Sequence, residues 1–522
     1  MAGYVVPVWE NKTAPCGGAN GCPAHSNIAG AMHALAMGDA KRAWTIMMES
    51  HPLRGVLGRV CYAFCESPCN RGSFDASISI QMLEGVMADH GFDPDWRPAM
   101  SPRNGKKILI VGAGPAGLTA GWFLNLAGFA VTIHEAEAEA GGVLRYGIPA
   151  YRLPKDVLAR EVKLIEACGV TIRYNTPVEG AKLADLMKSE GFDAAVVTIG
   201  AGVGRGSGIA GEEQCLSGLT LLKRVNAEET HRQTFEGRAV IVVGGGNVAM
   251  DACRTAVRLG AASVHVLYRR DEASMPAHDF EVRHARQEGV VFDFLKAPKA
   301  YDGSTLTVEV MALAEPDDSG RRRAVASGVT ERRPADVVIM AIGQEPATFN
   351  APKSDVIFFA GDVIPSSPGT VIHAIAAGKR AAADAALRLT GATLFPPMPE
   401  EVPYEKMNIA RYFERRMRLR TALEPASRRI HDFRPVERVV SLDEARVEAS
   451  RCFRCGMCIG GVNSDCDWCF HACGKEGINK LMIVWDHTTP LFEPSAQCDS
   501  CGKCWEDCPR FVVTPVEVEE NE

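Results

Sequence analysis

The sequence predicts an α/β fold. It rests on two Rossmann-like dinucleotide-binding units, one inserted in the other, with a cysteine-rich segment at each end. Three observations carry this. A strand-length apolar run is followed by Gly112, Gly114 and Gly117 at G-x-G-x-x-G spacing. The same pattern returns at Gly244, Gly246 and Ala249. Of 18 cysteines, five precede residue 70 and ten lie between residues 452 and 508.

The first glycine turn sits in a complete context. Ile108–Val111 has strand length and β-branched character, a helical run reaches Leu126, and a second strand starting at Ala130 ends at Glu135. Gly112 permits the tight turn, Gly114 lets a pyrophosphate approach the backbone, and Gly117 lets helix and strand pack closely. Pro115 and Ala116 lie within the same turn, whose helix N-terminus offers free N–H groups to phosphate. Glu135 is placed to accept hydrogen bonds from a ribose. Gly142 and Leu144 follow in a Gly- and Pro-punctuated stretch too irregular for a helix. Gly200 stands in the small-residue turn TIGAG, suited to close approach by a nucleotide.

Composition sets the wider limits. At 522 residues the length fits roughly three or four domains. The fractions of 46% hydrophobic and 23% charged residues are those of a globular protein. A net charge of −7 without a long basic tract argues against nucleic acid as a partner. No apolar run approaches the ~20 residues of a membrane span. The first residues lack a basic start and apolar core, so the expected location is the cytoplasm. Clustered cysteines in a reducing compartment point to metal rather than to disulfides.

Residues 1–100 are expected to form a helical domain, with Gly38 breaking one helix from the next. Cys61, Cys65 and Cys69 recur every fourth residue, and with Cys22 they suit one four-iron cluster. Zinc is the alternative, and Cys16 is either a spare or a substitute ligand.

The second unit, 236–344, places Gly244, Gly246, Asn247 and Ala249 at the glycine turn. Its second strand ends not in an acid but in Arg269 and Arg270. Guanidinium groups bind a 2′-phosphate bidentately, where an acid would repel it. The unit ends in a turn at Gly343. Residues 345–395 then return to the first unit: a strand runs into Gly361 and Asp362, and a helix starts at Thr370 and Val371. The acid suits a ribityl hydroxyl, and the helix N-terminus favours a negative ring. The first part of that unit is 101–235, and a connecting arm spans 396–450. Within the arm Ser441 and Glu444 stand at capping-box spacing.

The segment 451–522 has the strongest metal pattern. Cys498, Cys501, Cys504 and Cys508 follow C-x₂-C-x₂-C-x₃-C-P, the bacterial ferredoxin run. The matching upstream run is Cys458, Cys466, Cys469 and Cys473, with seven residues after Cys458 and Gly474 in place of proline. Cys452 and Cys455 are then surplus, or replace Cys458 and a neighbour.

These motifs, GRVC with Cys65 and Cys69, VGAGPAGL, GG-x-L-x-YGIP, GGGNVAMD with YRR, and AGDV with T-V-I-x-AIA-x-G, together resemble one family. It is the small (β) subunit of NADPH-dependent glutamate synthase, with the related flavin modules of dihydropyrimidine dehydrogenase and NADH-dependent ferredoxin:NADP oxidoreductases. The resemblance covers about residues 15 to 390. It implies FAD in the first unit and NADP(H) in the second. The family's usual C-x₂-C before Cys16 is missing, so one N-terminal cluster is expected, with two in a ferredoxin-like tail, about three in all. The tail resembles that of electron-transfer subunits paired with 2-oxoacid oxidoreductases. The expected function is electron transfer between NADP(H) and a partner, either a catalytic subunit of a larger complex, one acting on a 2-oxoacid such as 2-oxoglutarate, or ferredoxin. The small subunit of glutamate synthase is the alternative. No catalytic acid, base or nucleophile is required of the chain, because the flavin performs the hydride chemistry.

Overall fold

The computed structural model describes residues 4–227, 233–317, 322–346, 348–409, 412–458, 469, 472–473, 478–480, 492–495, 497–498 and 500–518. Cys466 lies outside them.

The N-terminal region is helical. Ile28–Ala36 and Ala40–Met48 are opened by Asn27 and Asp39, whose side chains accept from the amides of Gly30 and Arg42. Gly38 separates them at φ +89°. Helices Arg54–Val60 and Ile80–Gly91 complete the group around Leu35, Trp44, Leu57 and Leu83, each at most 1% exposed.

Two five-stranded parallel sheets follow. The first has the order Ile357–Phe359, Ala194–Val197, Lys107–Val111, Ala130–His134, Thr171–Arg173. Its edge strand Ile357–Phe359 comes after the second sheet in the chain, so the second unit is threaded between strands of the first. The second sheet has the order Val291–Phe294, Ser263–Tyr268, Ala239–Val243, Val337–Met340, Leu216–Ser217. The sequence reading placed Leu216–Ser217 in the first unit; two residues carry too little pattern to reveal a strand. Nor does that reading contain the antiparallel sheet Lys296–Tyr301, Thr305–Pro316, Arg322–Pro334. Most of its last strand is exposed and its ends are charged, so alternation is visible only around Leu306 and Val308.

The arm packs instead of hanging free. Val402, Met407 and Ile409 are buried in the N-terminal core. Arg418 bonds Glu66, Ser77 and Ser79. The helix Leu442–Ser450 opens on a complete Ser441–Glu444 capping box and lies on Ile28–Ala36. The two ends of the chain meet: Tyr4–Trp9 pairs antiparallel with Val513–Val518, Tyr4 opposite Val518 and Trp9 opposite Val513.

Buried ions join these parts. Glu288 meets Arg254 at 3.0 Å, Arg258 at 2.7 Å and Arg429 of the arm at 2.9 Å. Arg152 of the first unit meets Asp251 at 2.9 Å and Glu281 at 2.8 Å, both in the second. Among the described residues, no helix is long and apolar enough to cross a membrane.

Candidate functional site

The carboxyl ends of both parallel sheets open on one cavity of 1160 Å³. This is where open α/β sheets bind ligands. Its wall contains Gly112, Gly114, Pro115, Ala116, Glu135, Gly142, Gly200, Gly361, Asp362, Thr370 and Val371 from the first unit. From the second come Gly244, Gly246, Asn247, Arg269, Arg270 and Gly343. Gly117, Leu144 and Ala249 stand behind the wall. A Cβ on Gly117 would lie 2.0 Å from the Gly112 carbonyl, and Leu144 and Ala249 are fully buried.

The first glycine turn has an open cradle. Gly112 takes φ +100°, while a Cβ on Gly114 would meet nothing within 4 Å. The helix Pro115–Leu126 has no side-chain cap, so its first amides are left for a phosphate. Glu135 is 6% exposed and accepts from the amides of Ala113 at 2.6 Å and Glu137 at 2.9 Å. Each carboxylate oxygen keeps a lone pair for a ribose hydroxyl. Val143–Tyr146 forms a short helix where the sequence reading expects a loop; four residues are too few for a period to show. Asp362 accepts from the Ser367 hydroxyl at 2.5 Å, and Thr370 caps the helix Val371–Thr390. These groups fit a flavin dinucleotide. In Gly114→Val the added atoms enter open space, so stability should hold. Flavin affinity should fall at least about tenfold, ~1.4 kcal/mol. Flavin content of the purified variant, read beside its melting temperature, checks both.

The second turn is built alike. Gly244 takes φ +139°, and a Cβ there would lie 2.2 Å from the Ala341 carbonyl. The helix Asn247–Arg258 again lacks a side-chain cap. Arg269 is exposed and Arg270 half-buried, with the Arg270 guanidinium 5.6 Å from the Tyr268 ring centre. The shielded Nε of Arg270 has no hydrogen-bond partner, as suits a site awaiting an anion.

Residues absent from the sequence reading also line the cavity, among them Lys296 and the N-terminal pair Val60 and Tyr62. Tyr62 stacks on His278 of the second unit at 3.5 Å. Cys61 stands between the pair, so one N-terminal cysteine adjoins the cavity wall. Its place beside Cys61 is the signal that could have pointed to Tyr62.

The cysteines fall into separate neighbourhoods. Cys16, Cys22, Cys65, Cys452 and Cys455 are buried in the core that the N-terminal helices share with the first dinucleotide unit, with Cys61 and Cys69 packed against it. Cys469, Cys504 and Cys508 form a distinct buried cluster, with Cys458 and Cys473 against it. Within the first group, burial and then the neighbouring Cys22, Cys61 and Cys16 push the Cys65 thiol up. Burial and then Glu84 push Cys61 up. Burial, then Cys69, Cys452, Cys455 and Cys22, push Cys16 well up. The sequence reading set Cys69 with Cys22, Cys61 and Cys65. The Cys69 thiol also raises those of Cys16, Cys452 and Cys455. Thiols so unwilling to ionise are deprotonated by binding metal. Among the described residues no three His, Cys, Asp or Glu close on a single metal ion.

Comparison with known proteins agrees with this architecture. Residues 106–378 match the family model described as pyridine nucleotide-disulphide oxidoreductase. Residues 10–96 match dihydropyrimidine dehydrogenase domain II, 4Fe-4S cluster. The chain is similar to the NADP(+)-dependent formate dehydrogenase subunit beta of Moorella thermoacetica, 36% identical over 85% of this chain and 70% of that one. It is 38% identical to the NADPH-Fe(3+) oxidoreductase subunit beta of Geobacter sulfurreducens over 65% of this chain and 52% of that one. It is 33% identical to the glutamate synthase [NADPH] small chain of Escherichia coli over 69% of this chain and 86% of that one. The chain thus spans only about half the length of some curated relatives it matches, 52% in the Geobacter case. Matched over more than half its length, with a four-iron domain ahead of the dinucleotide units, the chain belongs to the pyridine nucleotide-disulphide oxidoreductase family.

Proposed function

We propose that the chain is the electron-transfer subunit of a larger oxidoreductase, moving electrons between NADP(H) and a catalytic partner. The shared cavity carries this reading: both glycine turns, the arginine pair and the residues flanking Cys61 line one space. Bound FAD would supply the exchange between a hydride and single electrons. The chain's own residues hold its pyrophosphate at Gly112–Gly117 and its ribose at Glu135. They seat the nicotinamide nucleotide at Gly244–Ala249 and grip the 2′-phosphate with Arg269 and Arg270. Val60 and Tyr62 line the cavity on either side of Cys61, so clusters held by the N-terminal and tail cysteines would carry electrons from there to the partner. The partner is the subunit that performs the carbon chemistry, an oxidoreductase acting on a 2-oxoacid such as 2-oxoglutarate, or ferredoxin. The glutamate synthase reading is less favoured, because the tail cysteines add electron carriers beyond the part shared with the small chain. The proposed location is the cytoplasm.

Protein purified without oxygen should contain FAD and at least about twelve iron atoms, from three four-iron clusters. NADPH should bleach the flavin absorbance. Stoichiometric zinc with negligible iron, or protein without flavin, would overturn the reading.

A further inference from the structure

Cys452 and Cys455 belong in sequence to the tail, yet they are built into the other end of the molecule. They are 9% and 8% exposed and sit in the N-terminal core, whereas Cys458, three residues on, packs with the tail cysteines. The loop that carries them is tied to residues beside Cys69. The Asn70 side-chain amide points at the Cys455 sulfur at 3.5 Å. Arg71 donates to the Arg451 carbonyl at 2.9 Å, and Arg451 returns to Asp75 at 3.0 Å. The same loop is tied to residues before Cys16. The Lys12 amide donates to the Gly456 carbonyl at 2.7 Å, and the Cys458 amide donates to Asn11 at 2.9 Å. At Gly456, φ +68°, a Cβ would stand 2.7 Å from the Lys12 carbonyl, so the two segments touch backbone to backbone. The Arg454 amide lies 3.4 Å from the Cys452 sulfur, a contact suited to a thiolate.

We infer that Cys16, Cys69, Cys452 and Cys455 are the four ligands of an iron–sulfur cluster, in which a C-x₂-C pair from the C-terminal segment completes a site begun by the N-terminal domain. Cys16, Cys452 and Cys455 share one buried core, with Cys69 packed against it. The assignment also settles the surplus. Cys22 and Cys61 both act on the Cys65 thiol, so these three remain as a separate group, with Cys61 next to the cavity-lining Val60 and Tyr62. Cys458, Cys466, Cys469 and Cys473 remain for the tail with Cys498, Cys501, Cys504 and Cys508, so Cys452 and Cys455 are no longer surplus there.

The inference rests on the reading that this chain carries four-iron clusters, and the test separates the two. Full-length protein is purified anaerobically as wild type, Cys16→Ala/Cys69→Ala, Cys452→Ala/Cys455→Ala, and all four together. Each pair should remove about four iron atoms and abolish the same reduced-state EPR signal, and the quadruple variant should lose no more. Retained flavin reports that the dinucleotide units are folded. An additive loss of about eight iron atoms in the quadruple variant would overturn the inference. So would loss, in Cys452→Ala/Cys455→Ala, of the signal that Cys498→Ala/Cys501→Ala removes. If the alanine variants lose flavin, Cys69→Ser and Cys455→Ser are compared instead. Both should shift one and the same signal, and shifts in two different signals would refute the shared cluster. Protein without any iron refutes both the inference and the reading beneath it, whereas iron with unshared signals refutes the inference alone.

Discussion

Replacing Glu288 by alanine should destabilise the second unit by about 3–5 kcal/mol, the cost of removing one partner from a buried ion cluster. Glu288 is the common counterion of Arg254, Arg258 and Arg429, whose side chains are 1%, 0% and 2% exposed. Arg254 and Arg258 also lie over Tyr151, at 4.7 and 3.9 Å from its ring centre. Without the carboxylate, three guanidinium groups face one another out of water. Burial opposes the charge on Glu288, but hydrogen bonds from Arg258 and Arg254 and their charges outweigh it, holding the carboxyl down to about 2. The unfolded carboxyl titrates near ~4.3. The stabilisation from this group is therefore complete above pH ~4.3 and is lost as pH falls toward the folded value, about 3 kcal/mol in all. Urea unfolding followed by circular dichroism at pH 7 and pH 3 checks both statements. The gap between wild type and Glu288→Ala should be wide at pH 7 and narrower at pH 3. An unchanged midpoint at pH 7 would show that the cluster contributes nothing.

Arg269→Ala with Arg270→Ala should weaken NADPH binding by about 2–4 kcal/mol, taking each charge-assisted contact at roughly 1.5–3 and allowing for non-additivity. That is a rise in Kd of roughly 30- to 700-fold. NADH has no 2′-phosphate, so its affinity should barely change. The two side chains end the strand Ser263–Tyr268 at the cavity wall, where the ribose of a nucleotide on the Gly244 turn must fall. Calorimetric titration of both nucleotides into both proteins gives the four affinities. Equal losses for NADPH and NADH would reject a 2′-phosphate role.

What the sequence made legible was local. A glycine turn, its strand and its helix lie within about thirty residues, the length of one βαβ unit, so their spacing records their geometry. That held for Gly112, Gly114 and Glu135 and for their counterparts around Gly244. The Ser441–Glu444 box was legible for the same reason. Neighbours set by tertiary packing were not. Cys69 and Cys455 stand hundreds of positions apart, and no periodicity links them. A run of Cys61, Cys65 and Cys69 at equal steps reads as one ligand set, although Cys61 borders the dinucleotide cavity and Cys69 faces the returning arm. The network at Glu288 was hidden likewise, since its acid and its three arginines come from three stretches with no shared pattern.

The pairing of Tyr4–Trp9 with Val513–Val518 bears on how the protein is made. Synthesis proceeds at about 5–20 residues per second, so roughly half a minute to a minute and a half separates the two strands as they leave the ribosome. Through that interval the first strand is a bare edge, a template for any other chain. The helical domain beside it has buried thiols but lacks the arm that covers them. The helical domain is thus made well before it can close. Nascent chains should need shielding at Tyr4–Trp9 until Val513–Val518 has been made, and metal delivery to Cys16 and Cys69 should wait for Cys452 and Cys455.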